Sequence, residues 1–206
     1  MSKVIQTITE SEEQILIRHL LDKTMYPNRY SKRLRNTVIF LLMLDAGLRV
    51  GEVVNLQVPD LVTLNEPVHT LVLGANLAKK RANRSVPLTQ RLRTTIKELN
   101  KHIWQYEPRP DAHWCFFGYD PSEHITTRQV ERFIKKLSTS AIDREIHPHV
   151  LRHTFATNLM RTSSIRIVQE LLGHKSLTST QVYTHPTNND LVEAIGTLET
   201  GHLPRN

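Results

Sequence analysis

The sequence predicts a mainly α-helical domain with one small three-stranded antiparallel sheet, an α+β fold class. Apolar residues recur at helical spacing along most of the chain, which favours helices. β-branched and leucine-rich stretches bounded by turn residues occur only between residues 61 and 88, which limits the sheet to that region. A length of 206 residues fits a single domain.

The first helices are predicted from capping and termination signals. Thr9 followed by Glu12 has the pattern of a capping box, so we expect a helix over residues 10–22. Val38–Leu44 is apolar throughout, which predicts a helix at the centre of the core. That helix is expected to end near Gly47, a plausible C-cap, and a new helix to begin close to Arg49.

The three strands are predicted at Leu61–Leu64, Val68–Leu73 and Ser85–Leu88, with a turn at Asn65–Pro67 between the first two. Helices are expected afterwards at residues 89–105, 126–139, 149–161, 164–172, 177–184 and 188–199. Gly173 is a helix stop signal before the last two of these.

Composition narrows the class of protein. The chain has 39% hydrophobic and 23% charged residues, which is ordinary for a globular core. One cysteine, Cys115, excludes a disulfide framework and a cysteine-rich zinc site. The longest uncharged apolar stretch is too short to span a bilayer. We therefore expect a cytoplasmic protein with no membrane partner.

The net charge of +7 is concentrated in two segments. Lys79 to Arg93 contains six basic residues and no acidic one, and Thr126 to Lys175 contains nine basic and four acidic ones. Such asymmetry favours one basic face that binds nucleic acid. Two separate solvated helix faces would give the same count, and that alternative stays open.

Six residues are candidates for chemistry, and each has an ordinary structural explanation when taken alone. Arg49 could pair with Glu52 on the helix surface, and Lys79 could be a solvated turn residue. His149 and Arg152, three residues apart, share a helix face that could simply be polar.

The last two candidates follow the helix stop at Gly173. His174 could interact with a helix C-terminus, and Tyr183 could pack beside Val182.

Taken together, four motifs resemble the tyrosine recombinase (phage integrase) family. Ala46–Glu52, with the sequence AGLRVGE, resembles its first arginine box, and Lys79, eight residues before Pro87, resembles its β-hairpin lysine. His147–Thr157 is similar to its His-x-x-Arg box. Leu171–His174, with Tyr183 nine residues after the histidine, is similar to its final box. The order and spacing agree from about residue 9 to residue 186.

The resemblance implies a DNA-breaking-rejoining catalytic fold in which the Tyr183 hydroxyl attacks a scissile DNA phosphate. The products would be a 3′-phosphotyrosyl bond and a free 5′-hydroxyl. Arg49 and Arg152 would bind the non-bridging oxygens through paired N–H donors. Lys79 would protonate the leaving oxygen, with the adjacent Lys80 as an alternative.

The remaining implied roles concern protons and positioning. His149 would assist proton transfer, His174 would hydrogen-bond a phosphate oxygen, and Glu52 would hold Arg49 in place. The resemblance implies no metal, ATP or other cofactor. His149 and His153 are four residues apart, but they lack the further ligands that a zinc site needs.

The implied partner is double-stranded DNA with a specific recombination site. Self-association into a tetrameric synapse on DNA, accessory DNA-bending proteins and a nucleoid-associated location are expected with it. In the family, the region of the predicted 126–139 helix approaches the major groove, which makes Arg128 and Arg132 candidate contacts. Further DNA-contact candidates are Lys80, Arg81, Arg84, Lys135 and Lys136. A solvated basic face remains the alternative for each.

The resemblance also predicts a domain organisation. Residues 1–206 would form a single catalytic domain with a tail at 1–8, without the N-terminal core-binding domain that most relatives carry, so we expect weak DNA binding by the chain alone. The chain would then be either a naturally small recombinase or a fragment of a longer protein. The segment 187–206 has an apolar stripe that would dock on a neighbouring subunit or pack on its own domain. Integration, excision, inversion and resolution all fit. A catalytically silent DNA-binding relative and a type IB topoisomerase-like enzyme are the alternatives.

Overall fold

One helix, α2 (Tyr30–Leu44), forms the centre of the core, because almost every side chain from Leu34 to Leu44 is buried. The computed structural model describes residues 6–22, 30–74, 84–106, 114–118, 120 and 122–173. Three amphipathic helices pack around α2: α1 (Glu10–Leu21), α5 (Gln90–His102) and α7 (Pro148–Met160). The predicted position of Val38–Leu44 at the core centre is thus confirmed.

The other described helices are α3 (Val50–Val54), α4 (Val58–Leu61), α6 (Thr127–Ile142), α8 (Ile165–Leu172) and a 3-10 turn at Trp104–Tyr106. The capping box before α1 is present, since the Thr9 hydroxyl accepts from the Glu12 N–H and the Glu12 carboxylate accepts from the Thr9 N–H. The predicted helices at 89–105, 126–139, 149–161 and 164–172 are confirmed within a few residues. Those at 177–184 and 188–199 lie outside the described residues.

The β structure differs in detail from the prediction of one three-stranded sheet. The described strands form two separate two-stranded antiparallel pairs, β1 (Val62–Thr63) with β2 (Glu66–Pro67) and β3 (Thr70–Leu73) with β4 (Arg84–Pro87). The predicted first strand was placed too early because Leu61 completes α4, whose start at Val58-Pro59 follows the preference for proline in a first helical turn. The predicted turn residues Glu66 and Pro67 form β2, and the turn itself lies at Leu64 and Asn65, where φ is positive.

A sharp change of direction links α2 to α3. Gly47 has φ +61°, a left-handed conformation that favours glycine, and the Leu48 N–H donates to the Leu42 carbonyl across the turn. A Cβ at this position would overlap the ring of Phe155 on α7. The glycine therefore permits both the turn and the close approach of α7.

One residue of the basic segment 79–93 serves the fold. Arg91 donates to both carboxylate oxygens of Asp45, which is buried, and to Glu13 at 2.7 Å. These ion pairs join α1, α2 and α5, and they raise the pKa of Arg91 above its ordinary value. This segment is accordingly not a uniform DNA-facing surface. In the part of the chain that the structure describes, no helix has the length and apolar character needed to cross a membrane.

Candidate active site

The N-terminus of α3 brings Arg49 and Glu52 together. The Glu52 carboxylate accepts from the Arg49 backbone N–H at 2.8 Å and from its guanidinium at 3.1 Å. The side chain of Arg49 is 19% exposed, whereas that of Glu52 is 3% exposed. Glu52 thus caps the N-terminus of α3 with a buried carboxylate, and Arg49 lies at the more exposed edge of the site.

Arg84 is the main partner of Glu52, which the sequence analysis did not foresee. Its Nη1 and Nη2 donate to the two carboxylate oxygens of Glu52 at 2.8 and 2.7 Å, a bidentate pair. Arg84 was predicted to contact DNA, and this prediction is wrong because its side chain is only 2% exposed.

Strand register explains the burial of Arg84. Side chains alternate between the two faces of a strand, so Arg84 points inward with Val86, next to Leu71 and Leu73 of β3. The predicted strand began one residue later, at Ser85, and therefore missed Arg84. Extending the period-two pattern from Val86 by one step would have identified it.

The environment of Glu52 keeps it ionised. Burial alone would raise its pKa, but the hydrogen bonds and charge of Arg84, the Arg49 N–H and the charge of Arg152 lower the pKa to about 2. Glu52 was predicted only to hold Arg49. The structure gives it three guanidinium neighbours, since Arg152 Nη1 also lies 4.0 Å from its Oε2.

Arg152 lies on α7, one turn after His149, and its side chain is 4% exposed. Its Nη1 donates to the Gly47 carbonyl, and its Nη2 donates to the Leu172 carbonyl at 2.7 Å. These two bonds fix the guanidinium plane between the α2–α3 turn and the end of α8. Three guanidinium groups therefore surround one carboxylate, which leaves a surplus of two positive charges.

The last turn of α8 accepts hydrogen bonds from the same cluster. Arg84 Nε donates to the Leu171 carbonyl at 2.9 Å, beside the bond from Arg152 to Leu172. Terminal carbonyls of a helix lack partners within the helix and carry partial negative charge, so buried guanidinium groups are suitable partners. Gly173 then ends α8 with φ +60°, which confirms the predicted stop.

His149 is an exposed residue on the first turn of α7. Partial burial and the charges of Arg152 and Arg49 lower its pKa below 6.5, so the imidazole is neutral at pH 7. A neutral imidazole has one nitrogen able to accept a proton. Glu131 of α6 acts in the opposite direction on this pKa, a neighbour that sequence reasoning missed.

The structure thus brings together Arg49, Arg152, His149 and Glu52, as the sequence predicted, and adds Arg84. Lys79, Lys80, Arg81, His174 and Tyr183 lie outside the described residues. The rings of His149 and His153 lie 6.3 Å apart, and no cluster of three potential metal ligands occurs among the described side chains. Chemically, the surplus positive charge beside a neutral imidazole suits an anionic group such as a phosphate.

The four basic residues predicted on the 126–139 helix are all exposed on α6. Lys135 forms an ion pair with Glu145 at 2.7 Å. Arg132 and Lys136 line a groove that also contains Lys32 and Arg35 of α2. These two α2 residues were not predicted, because the apolar stretch that marks this helix in the sequence begins only at Val38.

The lowered pKa of Glu52 makes the stability of the fold depend on pH. A carboxyl whose folded pKa is lowered from 4.5 to about 2 stabilises the protein above pH 4.5, and this contribution is lost as pH falls toward 2. We expect the free energy of unfolding of wild type to exceed that of Glu52→Gln at pH 5 and the difference to shrink by about 2 kcal/mol at pH 2.5. Urea unfolding at both pH values measures it.

The exposed Glu66, which pairs with Lys97, provides the control. Glu66→Gln should differ from wild type by less than about 0.5 kcal/mol at either pH. A wild type to Glu52→Gln difference that stays constant between pH 5 and pH 2.5 would contradict the lowered pKa.

Known proteins resemble this chain in sequence and in fold. The model of the phage integrase family matches residues 7–190. The tyrosine recombinase XerC of Pediococcus pentosaceus is 33% identical over 180 residues, which cover 85% of this chain and 58% of that protein. The crystal structure of XerA recombinase superposes with a TM-score of 0.73 at 28% identity, covering all of this chain and 67% of that one. XerH, bound to a palindromic difH substrate in a post-cleavage complex, shares the fold with a TM-score of 0.71 at 23% identity, over 96% of this chain and 54% of that one.

The fold and site define a mainly helical domain with a buried arginine cluster, and the solved structures that share this fold are recombinases. The chain belongs to the phage integrase family, to which the tyrosine recombinases belong. It spans less than two thirds of the length of the curated relatives that it matches.

Proposed function

We propose that the chain is the catalytic domain of a site-specific DNA recombinase that cuts and rejoins DNA through a 3′-phosphotyrosyl intermediate. The observation that supports this most is the arginine cluster. Arg49 and Arg152 come from two separate family motifs and share one carboxylate with Arg84, so these four groups carry a net charge of +2 beside the neutral His149. A phosphodiester that gains negative charge in its transition state is the group that such a cluster stabilises.

In the proposed cleavage step, the Oη of Tyr183 forms a bond to the scissile phosphorus as the bond from phosphorus to the 5′-oxygen breaks. At pH 7, forming the phenolate costs about 4 kcal/mol, since an unperturbed tyrosine has a pKa of about 10. His149 takes part in removing this proton, and Arg49 and Arg152 bind the non-bridging oxygens.

Lys79 protonates the leaving 5′-oxygen, and His174 donates to a phosphate oxygen. Rejoining is the same step in reverse, with a 5′-hydroxyl attacking the phosphotyrosyl bond. The phosphotyrosyl ester conserves the energy of the broken diester, so the proposed reaction needs no energy-rich cofactor.

The proposed partner is double-stranded DNA with a specific site, engaged in a tetrameric synapse in the nucleoid with accessory DNA-bending proteins. Support comes from the exposed basic residues of α6 and from XerH, whose solved structure is a complex with its substrate. Arg128, Arg132 and Lys136 are the proposed contacts on α6. Lys80 and Arg81 are proposed contacts in the segment that precedes β4 in the sequence.

A nicked suicide duplex tests the function. Duplexes that tile the DNA flanking the coding sequence are incubated with wild type and with Tyr183→Phe, and covalent adducts are separated on a denaturing gel. We expect an adduct with wild type and none with Tyr183→Phe, because only the hydroxyl can attack. Tyr106→Phe, which alters an exposed tyrosine far along the chain from the motifs, should form the adduct at the wild-type rate.

Other outcomes of these assays would support the two alternative functions. Binding of DNA without an adduct would indicate a catalytically silent DNA-binding protein. Relaxation of supercoiled plasmid without a specific site would indicate a topoisomerase-like enzyme.

A further inference from the structure

The arginine cluster contains one member, Arg84, whose three guanidinium nitrogens all donate to protein oxygens. Arg84 is 2% exposed and is bonded on three sides, to both oxygens of Glu52 and to the Leu171 carbonyl. Arg49, by contrast, is 19% exposed. Arg84 is therefore committed to contacts within the protein, whereas Arg49 lies at the more exposed edge of the cluster.

From these contacts we infer that Arg84 is a positioning residue for the phosphate site, acting through Glu52. This inference rests on the proposed function. By binding both oxygens of Glu52, Arg84 supplies a positive charge that offsets the carboxylate, which Arg49 and Arg152 would otherwise have to offset alone. The two arginines then present their positive charge to an anion.

The net charge of the arginine cluster depends on Arg84. Three guanidinium groups and one carboxylate leave a surplus of two. Without Arg84 the surplus falls to one, and Glu52 can be satisfied only by Arg49 and Arg152. Without both Arg84 and Glu52 the surplus returns to two, so the double change should restore the electrostatics that the single change removes.

Arg84 also joins three parts of the chain that contribute to the site. It is the first residue of β4, directly after the segment that contains Lys79. It binds Glu52 on α3, and it binds the Leu171 carbonyl in the last turn of α8, two residues before Gly173 and three before His174. A Cβ at Gly173 would lie 3.0 Å from Cδ of Arg84, so the two chain segments are in close contact.

The test is a double-mutant cycle of wild type, Arg84→Met, Glu52→Gln and the double variant. Arg84→Met should slow single-turnover cleavage of a suicide duplex about 100-fold, comparable to losing one electrostatic donor. The double variant should cleave at least about tenfold faster than Arg84→Met, since the two changes act on one pair. Arg93→Met removes a charge of the same basic segment but bonds Gln90 and His69 instead, so its rate should stay within about twofold of wild type.

A binding series in the Tyr183→Phe background separates this inference from the proposed function, because it needs no cleavage. Duplex affinity should rank Arg84→Met lowest, with the double variant within about threefold of the parent protein. If wild type forms no adduct, the proposed function fails, and the order of affinities still decides the role of Arg84.

Other outcomes overturn the inference. Wild-type rates and affinities in folded Arg84→Met would do so, as would equal losses in Arg84→Met and the double variant. If Arg84→Met does not fold, Arg84→Lys replaces it, because it keeps the surplus of two and should cleave within about tenfold of wild type. A 100-fold lower cleavage rate in Arg84→Lys, together with an equally low rate in the double variant, would then refute the inference that Arg84 acts through Glu52.

Discussion

Replacement of Arg152 by methionine is expected to slow DNA cleavage by at least about 1000-fold and to lower the free energy of unfolding by about 3 kcal/mol. The kinetic effect follows from the proposed loss of a charged donor to the phosphate. The stability effect follows from burial, because the variant leaves the carbonyls of Gly47 and Leu172 without their guanidinium donor. Single-turnover cleavage and urea unfolding measure the two effects separately.

Two further variants serve as controls for Arg152→Met. Arg161→Met removes an exposed arginine at the other end of the same helix and should change stability by less than about 0.5 kcal/mol. Arg152→Lys keeps the charge but not the forked donors, so we expect cleavage to remain about 100-fold below wild type. Cleavage by Arg152→Met within tenfold of wild type would remove Arg152 from the proposed mechanism.

Replacement of Gly47 by alanine should destabilise the fold by about 3 kcal/mol. Two costs add at this position. An L-residue at φ +61° is strained, and the new Cβ would overlap the ring of Phe155. Urea or thermal unfolding of the variant measures the total.

Gly51→Ala is the matched control, four residues further along the chain. It lies inside α3, where a Cβ meets no atom within 4 Å, so the substitution should be neutral or stabilising by up to about 1 kcal/mol. Combining Gly47→Ala with Phe155→Leu should cost at least about 1 kcal/mol less than the sum of the single changes, because the second change removes the overlap. Strict additivity would show that the ring of Phe155 is not the obstacle.

Most of the helical framework could be predicted from the sequence, because it depends on local signals. Thr9 and Glu12 specify a cap within three residues of each other, and Gly47 and Gly173 mark the ends of α2 and α8 at the residues that have positive φ. Periodicity located α5, α6 and α7 for the same reason.

The β region and the inner half of the site could not be predicted as fully, because they depend on residues distant in the chain. Which strands pair is decided by contacts between segments, so two short pairs took the place of one sheet. Arg84 and Glu52 are 32 residues apart, and only the fold reveals that a basic residue in a basic segment is a buried partner. The excess of basic residues in this segment, taken alone, predicts that Arg84 contacts DNA.

The attachment of α8 has a consequence for folding cooperativity. A helix of eight residues does not persist in water by itself, so α8 depends on its tertiary contacts. These contacts are a small apolar cluster with Phe155 and the two carbonyl bonds from Arg84 and Arg152. Opening of α8 therefore removes partners from both arginines, and displacement of the arginines releases α8. Local unfolding of this helix and loss of the anion site are the same event, so α8 and the arginine cluster belong to one cooperative unit.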